Sequence, residues 1–190
     1  GLPTTYYLTI ADTPIRLHAE LEQVDFVPIH DVSAFGLGDP LAGLVDGGTL
    51  FIESPLPDPD AIWASIPAPA RAEVLARGIR VAALDTATLA QAHAPRPELE
   101  VRMRGVALVG VFLRVSPFAV EAGLDRAALL DAVRARLGRF FGKRGGAVVR
   151  ANLDVITAAY DHLIDVTGSL GRSAPLGGEP PAADLVGAPR

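Results

Sequence analysis

The sequence predicts an α/β fold of three layers: a mostly parallel sheet, helices on both of its faces, and a helical C-terminal third. Between residues 24 and 94, short apolar runs alternate with segments that open on helix-capping residues. That order belongs to strands joined through crossover helices. The runs VDFVPI, TLFIES and RVAALD are apolar at most positions, as strands buried on both faces are. From residue 99 the segments become long and helical.

The elements follow in order. Residues 4–10 and 15–19 are strand-like on either side of Asp12-Thr13-Pro14, which predicts a hairpin. Residues 24–29 form the next strand, with Pro28 marking its exit. Asp39-Pro40 reads as an N-cap followed by proline at the first helical position, and Gly47-Gly48 as the end of that short helix. A strand over 49–54 precedes a second helix start at Asp58-Pro59, ahead of Ile62 and Trp63. A helix over 68–77 stops at Gly78, and a strand over 80–85 leads into a helix over 86–94, ended by Pro95. Residues 99–115 read as a largely apolar, buried helix. Asp125 caps a helix to about Arg136, and Gly145-Gly146 precedes a long one to about Val166. Residues 167–190 are rich in Gly, Pro, Ala and Ser and read as a flexible tail, which leaves 1–166 as the domain.

Composition narrows the function classes. The chain has 190 residues, 49% of them hydrophobic and 21% charged, with mean hydropathy +0.31. Such a chain can bury enough apolar surface to fold. The balance is greasy for a free-standing domain and points to surface buried against partners. Net charge is −5. Residues 1–100 hold 5 arginines against 14 acids, whereas residues 101–190 hold 12 basic against 8 acidic residues. With an acidic first half and no basic stripe, general nucleic-acid binding is not expected. The absence of cysteine removes disulfides, thiolate nucleophiles and any iron–sulfur cluster ligated by this chain. The four histidines show no paired metal-ligand spacing, so no metal site is expected. The longest apolar run, 106–113, is interrupted by Gly110 and flanked by Arg104 and Arg114, well short of the roughly 20 residues that cross a bilayer. A cytoplasmic protein without a membrane partner is the default expectation.

Near-motifs do not assemble a catalytic site. Gly36-Leu37-Gly38 begins like a dinucleotide fingerprint, but Leu41 stands where the third glycine belongs. Residues 138–143 resemble a P-loop with one residue too few between the glycines, and Arg144 replaces the magnesium-binding hydroxyl. Gly168-Ser169-Leu170-Gly171 lacks the pattern of a nucleophile elbow. Asp85, at a strand end, occupies the place where open α/β sheets bind ligands, but capping of the next helix is the plainer account and the one expected. His18 and His30 read as structural or interfacial residues, and His93 as a partner of helix-terminal carbonyls. No residue is assigned a catalytic role.

Six segments nevertheless follow one another in a recognisable order: GLPTTYYLTIADTPIRL, VDFVPIHD, DPLAGLVDGGTLFIESP, RGIRVAALDTATLAQ, RMRGVALVGVFLRV and FFGKRGGAVVRANLDVITAAYDH. Together they resemble the gamma domain of the 2-oxoacid:acceptor oxidoreductases, the pyruvate:ferredoxin oxidoreductase group, over residues 1–166. The resemblance implies an accessory α/β unit of a thiamine-diphosphate enzyme that oxidatively decarboxylates a 2-oxoacid to acyl-CoA. Electrons would pass through iron–sulfur clusters to ferredoxin or flavodoxin. It further implies that thiamine diphosphate, magnesium and the clusters sit in other domains or subunits, the partners of this chain, so the chain alone lacks a complete active site. The family's glycine-rich first β–α unit has no counterpart before Gly1, which reads as an N-terminally incomplete domain with apolar surface exposed where that unit and the partners pack. Arg102 and Arg104, with Lys143 and Arg144 in GKRGG, are the candidate cations for the phosphates of CoA. Solvent exposure or an inter-domain salt bridge is the plainer account of Arg102 and Arg104, and a helix-entry turn with solvated charges that of Lys143 and Arg144. Phe35 to Gly38 is either a mobile loop against a neighbouring domain or a plain strand-to-helix connection, and Asn152 reads as an inward hydrogen-bonding helix residue. The alternative to the oxidoreductase reading is a stand-alone assembly or ligand-binding module that reuses the domain.

Overall fold

The computed structural model describes residues 14–15, 21–141, 145–172 and 176. The hairpin expected over 4–19 therefore lies almost wholly outside the described residues, as do Lys143, Arg144 and the segment 177–190. Within them the α/β architecture is as expected. Strands β1 (Val24–Ile29), β2 (Leu44–Glu53) and β3 (Arg80–Leu84) run parallel, and a two-residue β4 (Ile164–Asp165) pairs antiparallel with β3, in the order β1-β2-β3-β4. Leu50 stands in register with Val27 and Val81, and Ile52 with Ile29 and Ala83.

The alternation of side chains along these strands builds two cores. Leu50, Ile52, Val81 and Ala83 face α2 (Pro59–Ser65) and α3 (Ala68–Ala76), where they meet Ile62, Trp63 and Val74. Phe51, Ala82 and Leu84 face the other way, toward α4 (Thr86–His93), α5 (Glu100–Val115) and α8 (Gly146–His162). Burial on both faces is why residues 50–52 of β2 and 81–84 of β3 form unbroken apolar runs. The helix ends follow their signals. Asp58, Asp85 and Asp125 each accept a backbone N–H three residues on, and Gly78 takes a positive φ of 60° after α3.

One expected helix is absent. Asp39 starts a turn instead, its carboxylate accepting the Leu41 N–H, a local bond that competes with a helix start. Gly43 then adopts φ 78°, where a Cβ would stand 2.7 Å from the Glu22 carbonyl, and β2 begins at Leu44. Gly47, at φ 73°, lies within β2 at an irregularity in its pairing with β1 and ends no helix. A short α1 (Ala34–Leu37) forms just upstream instead.

The helical third contains α5, α6 (Phe118–Glu121), α7 (Arg126–Phe141) and α8. Helices α5 and α8 cross closely at Gly110, where a Cβ would fall 2.3 Å from the Ile156 carbonyl oxygen. Helix α8 stops at His162, earlier than expected, and the chain turns into β4 and α9 (Val166–Ser169). Asp165 caps α9 by accepting the Gly168 N–H. Thr167 is fully buried, its hydroxyl oxygen accepting the Val81 N–H, and Arg172 lies 4.8 Å from the Trp63 ring. The segment read as tail thus begins with residues packed on the domain.

Candidate functional site

Parallel strands deliver their carboxyl ends to one edge, where ligands of open α/β sheets bind. At this edge β1 continues into His30, β2 ends on Glu53 and β3 continues into Asp85. Glu53 shares the α5-facing side of β2 with Phe51, and its side chain is only 8% exposed. Removing a carboxylate from water is costly unless both oxygens find partners. Here Oε2 meets His30 Nδ1 at 3.0 Å, and Oε1 accepts from the Arg104 guanidinium on α5. The Arg104 side chain is 40% exposed and His30 is 69% exposed. A buried carboxylate therefore holds an imidazole and a guanidinium at the surface of the edge. With Nδ1 on Glu53, Nε2 is the imidazole's remaining site for a proton or a ligand.

The neighbouring polar groups are committed to local structure. Asp85 accepts both the backbone N–H and the hydroxyl of Thr88, so it is a helix cap. Ser54 is buried, and its hydroxyl accepts the Leu56 N–H. The buried Thr86 hydroxyl has no hydrogen-bond partner among the described residues. No group of three or more His, Cys, Asp or Glu side chains suited to a metal ion occurs among the described residues.

The structure separates the expected candidates. Arg102 and Arg104 are two positions apart on α5 and do not face each other. Arg104 turns to Glu53, whereas Arg102 is exposed and has no partner among the described residues. Lys143 and Arg144 lie outside the described residues. Asn152 donates its side-chain amide to the Val148 carbonyl at 2.8 Å. His93 occupies the last turn of α4. Leu37 of α1 is 71% exposed. Sequence reasoning missed the link from His30 to Glu53. Its one local signal was a glutamate directly after the apolar run 50–52, a position that demands a partner.

Away from the edge, a groove runs between α5, α7 and α8. It comprises two cavities of about 250 and 320 Å3 that share Val106, Phe141 and Asn152 in their walls. Arg102 lines one and Arg136 the other.

Comparison with known proteins places this sequence in a family. The profile of the pyruvate ferredoxin/flavodoxin oxidoreductases matches residues 1–162. A pyruvate-flavodoxin oxidoreductase of Rhodospirillum rubrum is 22% identical over 167 residues, which is 88% of this chain and 13% of that protein. The enzyme of the same name from Trichormus variabilis is 23% identical, over 86% of this chain and 13% of its own length. Among solved structures, the pyruvate oxidoreductase subunit PORC of Thermotoga maritima matches with a TM-score of 0.45 and 18% identity, over 75% of this chain and 65% of that one. The chain spans only a small part of its curated relatives. It belongs to the pyruvate ferredoxin/flavodoxin oxidoreductase family.

Proposed function

We propose that this chain serves as the gamma-type domain of an enzyme that oxidatively decarboxylates pyruvate or a similar 2-oxoacid. The overall change takes the oxoacid, CoA and two oxidised one-electron carriers to acyl-CoA, carbon dioxide, a proton and two reduced carriers, the carrier being ferredoxin or flavodoxin. The observation that supports the reading is the family match over 1–162, in a chain that spans 13% of the relative from Rhodospirillum rubrum.

The donor set agrees with a division of labour. With no cysteine, the chain does not fit an iron–sulfur cluster. In this reading the clusters, thiamine diphosphate and its magnesium belong to the other domains or subunits of the complex. This chain supplies a shaped surface. At the carboxyl edge, Glu53 fixes His30 and Arg104, and the remaining guanidinium N–H groups of Arg104 are suited to an anionic group such as a phosphate of CoA. Arg102, Lys143 and Arg144 are the further cations for CoA or for a neighbouring domain. The structure has no helix long and apolar enough to cross a membrane among its described residues, and the reading places the complex in the cytoplasm.

Purification of the tagged chain from its native host tests the reading. Expected is a complex containing thiamine diphosphate and iron–sulfur clusters that reduces a viologen dye when given pyruvate and CoA, with no activity in the chain alone. A native complex devoid of both cofactors would overturn it.

A further inference from the structure

We propose that the groove between α5, α7 and α8 seats an apolar segment flanked by carboxylates, contributed by another part of the same oxidoreductase. The proposal rests on the functional reading above and adds to it the surface and the chemistry of contact.

The groove's size and lining come first. Its two cavities, about 250 and 320 Å3, are adjacent and share three wall residues. Met103, Val106, Leu113, Leu137 and Ile156 make its walls mainly apolar. Apolar exposure continues at its rims, where Val109 on α5 is 44% exposed and Phe140 on α7 is 65% exposed. Helix α7 buries only Leu129 and Leu130 of its sixteen residues. Clustered apolar exposure of this kind supports an interaction site, whereas single exposed apolar residues do not.

Charge then selects the occupant. Among the described residues its lining includes two arginines, Arg102 and Arg136, and no carboxylate. Arg102 has no partner among the described residues, and Arg136 lies 4.9 Å from the Phe140 ring. Arg139 is also exposed on α7. An apolar ridge with Asp or Glu at its ends would fill the groove and pair with the arginines, whereas a basic segment would be repelled. The source of the ridge follows from proportion. Relatives of this chain are several times longer, so in the functional reading most of such an enzyme lies outside these 190 residues and is the source of the segment.

Photocrosslinking in the assembled enzyme tests the proposal. With Val109 replaced by p-benzoylphenylalanine, irradiation is expected to join position 109 to an apolar peptide with acidic flanks from another part of the oxidoreductase. Arg102→Glu combined with Arg136→Glu is expected to reduce that crosslink at least tenfold. The pair Arg102→Lys and Arg136→Lys should retain it, and a melting curve reports whether each variant is folded. The single variant Arg102→Glu, on an exposed side chain, gives the same readout with the least risk to folding. A crosslink between two copies of this chain, a product without acidic flanks, no protein product, or a yield insensitive to charge reversal overturns the proposal. In each of those cases the functional reading stands if thiamine diphosphate and iron–sulfur clusters copurify. If they do not, both fail.

Discussion

Strand β2 and helix α7 bury their residues in opposite ways. Seven of the ten residues of β2 are buried, including an unbroken run from Gly48 to Glu53. Helix α7 is longer, yet buries only Leu129 and Leu130. The strand is held by two hydrogen-bonded neighbours and a core on each face. The helix is held along one side, with its Arg126 paired to Asp161 of α8. The difference teaches that burial is concentrated in the sheet and exposed surface in the late helix. The sheet determines whether the domain exists, and α7 contributes mainly a surface.

Substitutions can break or sharpen that contrast. The largest effect is expected at Phe51, fully buried in the middle of β2, where Phe51→Ala should cost about 3–5 kcal/mol in urea unfolding of the full chain. Gly110→Ala comes next, since the added methyl group meets the Ile156 carbonyl. A loss of about 1–3 kcal/mol is expected, seen as a lower unfolding midpoint. Leu137→Ala in the α7 wall should cost less than Phe51→Ala by at least about 2 kcal/mol, because Leu137 is only partly buried. Equal losses at Phe51 and Leu137 would abolish the distinction between the two regions. The smallest effect concerns pH. The Arg126 hydrogen bond lowers the Asp161 pKa below its usual 3.8. A carboxylate with a lowered folded pKa stabilises the fold above its unfolded pKa and loses that contribution as pH falls through the folded value. Hydrogen exchange should therefore accelerate in α7 below about pH 4 before it does in β2, and Asp161→Asn should remove this acid-dependent step.

Legibility in the sequence followed the range of the interactions. The Asp58 and Asp85 caps and the glycine stop at Gly78 were readable because each acts within a few residues. The Asp39-Pro40 signal misled because Asp39 satisfied its side chain in a turn, and Gly43 and Gly47 served a strand entry and an irregular pairing. Strand β4 is two residues long and shows no periodicity of its own; its pairing with β3 defines it. The edge site is less visible still. His30 and Glu53 are 23 residues apart, and Arg104 lies 51 residues beyond Glu53, so folding alone brings the three together. The family order of the segments was legible, whereas the commitment of Arg104 to Glu53 required the fold to be seen.

The Thr167 hydroxyl has a consequence for assembly. By accepting the Val81 N–H it occupies a position on the β3 edge that an incoming strand would use, and β4 pairs with the two residues that follow. A subunit that approaches this side cannot extend the sheet there by adding a strand and must engage through side chains. Assembly on that side is thereby steered away from the backbone pairing by which aggregates grow.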